Sequence, residues 1–169
     1  MLPKYKYLLT YRYAVMIFDL NGEFCERWIS KRSRTFDQMI QAGRSGKQNI
    51  VEAVGESDTT RKNEIKLLGI SKGSFEELLA DYEDYLRLGD LELWSKNDSR
   101  IQAFRKRAFE LSNISNLSDL GDLKIKPRLP ENHQTAANLM VTLLHMETFL
   151  LDKQIKAMIE KFAVEGGFT

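Results

Sequence analysis

The sequence predicts an all-α protein: an antiparallel up-down four-helix bundle with a short extra helix in the connection between the third and fourth long helices. Three observations predict it. Apolar residues recur at intervals of three and four along four long stretches. Only 3 Pro and 10 Gly occur among 169 residues, so long runs carry no helix breaker. The polar breaks between the stretches are short except for one, residues 90–131. A chain of this length can bury its own core as a single domain, here residues 1–169 with 90–131 as an insertion.

The first helix is expected over residues 5–28. Tyr7, Tyr11, Ala14, Phe18, Cys25 and Trp28 share a stripe, which Leu8, Val15 and Ile17 broaden. Asn21-Gly22 lies inside this pattern, and a hairpin turning there is the rival reading. Lys31 to Arg34 form a basic loop. Thr35-Phe-Asp-Gln38 has the spacing of a capping box, so a second helix should run from about Phe36 to Val54. Gly55 to Asp58 supply a stop and a new N-cap. The third helix, about 60–88, carries Ile65, Leu68, Phe75, Leu79, Tyr82 and Leu86 on one side. It carries Glu76, Glu77, Asp81, Glu83 and Asp84 on the other, and Gly89-Asp90 ends it.

Within 90–131, Arg100 to Leu111 read as a short basic amphipathic helix. A Ser/Asn/Asp/Gly-rich loop follows over 112–122, and then a segment ending in Pro127 and Pro130. A connection this long is usually functional or docked on a face. Asn132 caps the last helix, about 133–164. Its apolar residues, from Leu139 to Phe162, spread too widely for one buried stripe. A helix apolar on two faces is central or shared with another subunit, so an oligomer is expected.

Charge and composition narrow the function. The net charge is +1, but residues 1–72 carry +5, residues 73–99 carry −6 and residues 100–169 carry +2. Such polarity suits head-to-tail assembly or a basic face turned to a polyanion. The candidate phosphate contacts are Arg27, Lys31, Arg32, Arg34, Arg44 and Lys47. Gly43 to Lys47 superficially resembles a phosphate loop, but Gln41 and Gln48 stand where its Gly and Ser/Thr belong. The better reading is packing: Gly43 and Gly46, with Ala42, Ser45 and Ala53, make a small-residue surface. Gly69, Ser71 and Gly73 do the same on the third helix. Arg44, Asn49, Glu52 and Lys72 are candidates for an internal polar network; Lys72 is either a rim residue that snorkels to water or the partner of a carboxylate such as Glu52.

Trp94, Arg100, Phe104, Arg105, Lys106, Arg107 and Phe109 could stack bases, although a helix docked by its Phe residues explains them more simply. His133 and His145 belong to no Glu-x-x-His pair, and His145 reads as a bundle histidine with one hydrogen bond. Cys25 reads as a core thiol. No metal, cofactor or catalytic constellation is expected, and the chain is read as a binding protein, not an enzyme. With one cysteine, no signal pattern and no apolar run of about 20 residues, a cytoplasmic protein without a membrane span is expected.

The second-helix segment Asp37 to Glu52 resembles a helix that reads Arg-Ser-x-x-x-Asn-Ile-x-Glu in a group of small bacterial four-helix-bundle proteins. Arg44, Ser45, Asn49, Ile50 and Glu52 are the matching positions. The group includes proteins encoded by intervening sequences of 23S ribosomal RNA genes. More distantly, it includes the accessory variability determinant of diversity-generating retroelements. Glu64-Ile65, Ser74 to Leu79 with Asp81-Tyr82, Leu150 to Ile155 and Glu165 to Phe168 resemble its suffix-domain branch. The resemblance implies an antiparallel four-helix bundle, assembly as a ring-like pentamer and no enzyme activity. The retroelement relative binds nucleic acid and a reverse transcriptase through a basic ring surface, and the first hypothesis here is a homo-oligomeric binding module with RNA or an RNA-bound protein as partner. The alternative is a protein-protein interaction module with no nucleic-acid role, using the acidic zone 76–84.

Overall fold

The computed structural model describes residues 2–55 and 60–166. Its helices are α1 (Leu9–Trp28), α2 (Arg34–Gly55), α3 (Arg61–Leu88), α4 (Ser99–Ser112) and α5 (His133–Val164). Single 3-10 turns lie at Lys4–Tyr7 and Ile114–Asn116. Among the described residues, extended pairing is limited to one antiparallel bridge, Leu117 with Leu123. The all-helical expectation holds.

Helix ends follow local chemistry and correct two expectations, the start of the first helix and the cap of the second. The chain does not enter α1 at residue 5, because Leu8 is extended. The buried Arg12 guanidinium takes up the Tyr7 carbonyl (3.0 Å), which a longer helix would have bonded internally. Asn21-Gly22 neither breaks the helix nor turns a hairpin, since the Asn21 side chain is consumed by the core. The cap of α2 is Ser33, whose hydroxyl accepts from Phe36 N (3.2 Å), and not Thr35. Ser33 wins because its own O–H donates to Ser30 O (2.7 Å), which fixes it ahead of the first turn. Thr60 caps α3 on Asn63 N, and Asn132 caps α5 on Thr135 N. The caps proposed at Ser57 and Asp58, and the match at Phe168, lie outside the described residues.

The long helices touch one another in four pairs. Asn21 and Phe18 of α1 meet Met39 and Lys47 of α2. Gly46 of α2 accepts from Ser71 of α3, while Arg34 shares a groove with Asp81. Lys72 and Tyr85 of α3 reach Asp152 and His133 of α5. Thr10 of α1 bonds Gln154 of α5 (2.7 Å), and Trp28 lies beside His133. The shared core includes Phe24, Met39, Ile50, Phe75, Leu78, Tyr82 and Leu144, all fully buried.

The small-residue surface of α2 is used for packing, as expected. A Cβ on Gly46 would stand 2.5 Å from the Phe75 ring, so the ring occupies the volume any larger residue would need. The matching expectation for α3 fails. A Cβ on Gly69 or Gly73 would meet nothing within 4 Å, and only Ser71 of that trio is buried.

The insertion is docked, and it explains the breadth of α5. The buried Asn138 accepts from Trp94 N (2.8 Å) and donates to the carbonyls of Glu92 and Gln134 (both 2.9 Å). This pins residues 91–94 along the first turns of α5. Trp94 stacks on Phe104, and Arg100 covers its ring at 3.6 Å. Helix α4 then runs beside α5, so Ala108 and Leu111 share a groove with Leu139 and Leu143. The second apolar flank of α5 is therefore covered largely from within the chain over its first half. Farther along, Phe149 and Ile159 are 59% and 40% exposed. Beyond α4, the turn at Gly121 (φ 82°) closes against Lys6, whose ammonium donates to Leu120 O (2.9 Å). Residues 123–131 return as a strap to the start of α5, anchored by the buried Leu129.

Candidate nucleic-acid interface

The six basic candidates are spread over α1, α2 and the loop between them, and several are already engaged. Arg27 pairs with Glu23 one turn away and lies over Trp28. Lys31 pairs with Glu26 (3.0 Å). Arg32 and Arg44 are exposed, and Arg34 is exposed in a groove it shares with Asp37, Glu77 and Asp81. Lys47 is half-buried, its ammonium 4.0 Å over the Phe18 ring. A cation spent on a carboxylate or a ring gives less to a phosphate.

The strap and α4 add cations beyond these six. From Ser99 to Arg128 there are seven Lys and Arg against three acids. Arg107 on α4 and Lys126 and Arg128 on the strap border one groove. Lys126 also borders a second hollow with Lys47, Arg12 and Asp19, and Arg128 a third with Arg27 and Glu23. The strap thereby links Arg27 and Lys47, on different helices, to its own acid-free groove through hollows that also hold Asp19, Asp122, Glu23 and Glu131. Burial raises the pKa of the Asp19 carboxyl, Lys47 and Lys126 pull it back, and Asp122 adds to the rise.

The expected polar network is not formed as written. Arg44 and Glu52 are exposed, not internal. The carboxylate that Lys72 finds is Asp152 (3.2 Å), with Glu76 at 3.8 Å. The two lysines around Asp152, Lys156 first and then Lys72, hold its pKa below the usual range. Asn49 does bond inward, donating to the Ser45 carbonyl and hydroxyl, and Ser45 meets Ser74 across α2 and α3 (2.9 Å).

The buried polar groups that matter most are others. Asn21 accepts from Tyr82 Oη (2.7 Å) and donates to Met39 O (2.9 Å), tying three helices together. Arg12 bridges the start of α1 to the Ser112 carbonyl that ends α4. Glu147 is fully buried, and neither carboxyl oxygen has a hydrogen-bond partner. Burial without a partner to solvate the charge pushes its pKa well up. A signal for two of these was present. Asn21 stands seven residues from both Ala14 and Trp28. Glu147 stands four from Leu143 and Leu151, so each is a polar residue on an apolar stripe.

His145 is exposed, which corrects its reading as a bundle histidine, whereas His133 Nδ1 is bonded to Tyr85 Oη (2.7 Å). Cys25 is buried, its thiol pushed up to about 12 mainly by desolvation. Trp94 is buried, so it is packing and not a free stacking platform; Phe109 remains 59% exposed. Among the described residues no three His, Cys, Asp or Glu side chains converge on a metal-sized site. No helix among them is long and apolar enough to cross a membrane. The chain matches no known protein family, no curated protein and no solved structure.

Proposed function

We propose that this chain is a non-enzymatic helical-bundle scaffold that assembles with copies of itself and binds RNA through the basic surface centred on the strap. The four long helices are read as an antiparallel up-down-up-down bundle, a reading supported by the contacts Asn21–Met39, Gly46–Ser71, Lys72–Asp152 and Thr10–Gln154. The observation that carries the binding proposal is the meeting of Arg107, Lys126 and Arg128 at one groove, flanked by Arg27 and Lys47. Exposed cations on the strap, α4 and α1 can together follow a phosphate backbone. Of the six candidates read from the sequence, Arg27 and Lys47 stay at the edge of this surface. Arg32, Arg34, Arg44 and Lys31 fall outside it. Assembly, as the pentamer that the resemblance implies, would draw on the exposed Phe149 and Ile159 of α5.

The test is binding of a structured and a single-stranded RNA across a salt series. Binding should weaken with salt, and removing one phosphate-binding cation should flatten the log–log slope by about 0.7–0.9. Lys126→Glu with Arg128→Glu should weaken binding far more than Arg32→Glu with Arg34→Glu. Binding insensitive to salt, or hurt equally by both pairs, removes the proposal. The alternative, a protein-interaction module, is favoured by the exposed Glu76, Glu77, Glu83 and Asp84 along α3. It would leave RNA affinity negligible and a basic protein partner sensitive to Glu77→Lys with Glu83→Lys.

A further inference from the structure

We propose that the groove between α1, α4, α5 and the strap is a binding site for an amphipathic anion with a single aliphatic chain, such as a medium-chain carboxylate. Its floor is Leu20, Leu139 and Leu143, and α4 supplies Phe104 and Leu111. The strap closes the other side with Ile125 and Pro127. The space is about 280 Å³. That is room for a single aliphatic chain.

The polar side chains lining the groove are three, Arg107, Lys126 and Arg128, and all three are exposed cations at its mouth. Arg107 has Glu110 at 3.7 Å on its outer side, an exposed and loose pair that leaves donors for a ligand. An apolar slot with a cationic collar matches one chemistry: a hydrocarbon tail inside and a negative head outside. Among the described residues lining the groove there is no neutral hydrogen-bonding side chain. A nucleobase inserted there would leave its polar edge without partners, which disfavours that occupant. A bare phosphate would leave Phe104, Ile125 and Leu139, accessible parts of the apolar lining, uncovered. The inference does not rest on RNA binding, because it concerns the interior of the groove and not its outer cations alone.

Isothermal titration of the whole chain with decanoate, 1-decanol and butanoate tests it. One decanoate per chain should bind saturably, about tenfold or more tighter than decanol, whose head cannot make charge-assisted bonds. Butanoate should not bind measurably. Leu139→Trp fills the floor and should abolish decanoate binding while leaving any RNA affinity in place. If circular dichroism shows that variant unfolded, Ile125→Asp serves instead, placing a like charge at the half-exposed mouth with the same expected loss. Equal binding of decanol, binding that survives both substitutions, or no decanoate binding overturns the assignment. So does a dimer dissolved by Leu139→Trp, which would make a second copy the occupant.

Discussion

Asn21 is the residue on which the packing of α1, α2 and α3 turns, since its one amide serves Tyr82 Oη and the Met39 carbonyl at once. Asn21→Ala strands a buried phenol and should cost about 2–4 kcal/mol in chemical denaturation. Tyr82→Phe in that background should add less than it does alone, because its partner is already gone. Glu147 gives the opposite sign. Its carboxyl titrates near 4.5 when unfolded and well above that when folded, because burial disfavours the charge. The folded state therefore binds the extra proton, so stability is greatest below about pH 4.5, as far as this group decides it. It falls as pH rises toward the folded value. Glu147→Met should raise stability at pH 7 by about 1–3 kcal/mol and remove that part of the pH slope. If the slope between pH 5 and 8 is unchanged, the carboxyl is not buried as described. Both residues were legible only as polar interruptions of apolar stripes. What each one touches depends on helix rotation and partner choice, which spacing along a single helix does not encode.

At the scale of elements, glycine separates packing from mere composition. Gly46→Ala should destabilise by about 1–3 kcal/mol, because Phe75 already fills the place of the methyl group. Gly69→Ala and Gly73→Ala, on the open side of α3, should stabilise by about 0.5–1 kcal/mol, since the helix gains and nothing is displaced. Small-residue spacing alone makes the two helices look equal, and only the partner surface tells them apart. The insertion shows the same limit. The start and end of α5 and the span of α4 were readable from caps and periodicity. The docking of residues 91–94 on Asn138 was not, because it joins positions 44 and 46 residues apart through backbone groups. Asn138→Ala should raise hydrogen exchange at Trp94 and along α4 while leaving α2 and α3 protected. Uniform loss of protection would mean that the insertion folds only with the whole.

For the whole molecule, the breadth of the apolar surface on α5 predicted a partner, and much of that partner is the chain's own α4. Periodicity reports that a face is covered but not by what, so assembly rests on a smaller exposed remainder around Phe149 and Ile159. The basic surface has a similar history. Its cations come from the strap and α4 as well as from α1 and α2, so counting charge along the first 72 residues located only its edge. Hydrogen exchange of the chain with and without bound RNA tests this surface most directly. Protection is predicted at residues 105–109 and 124–128, with residues 31–36 and the acidic side of α3 unchanged. Protection confined to 31–36, or none at a concentration where RNA is bound, would contradict the account.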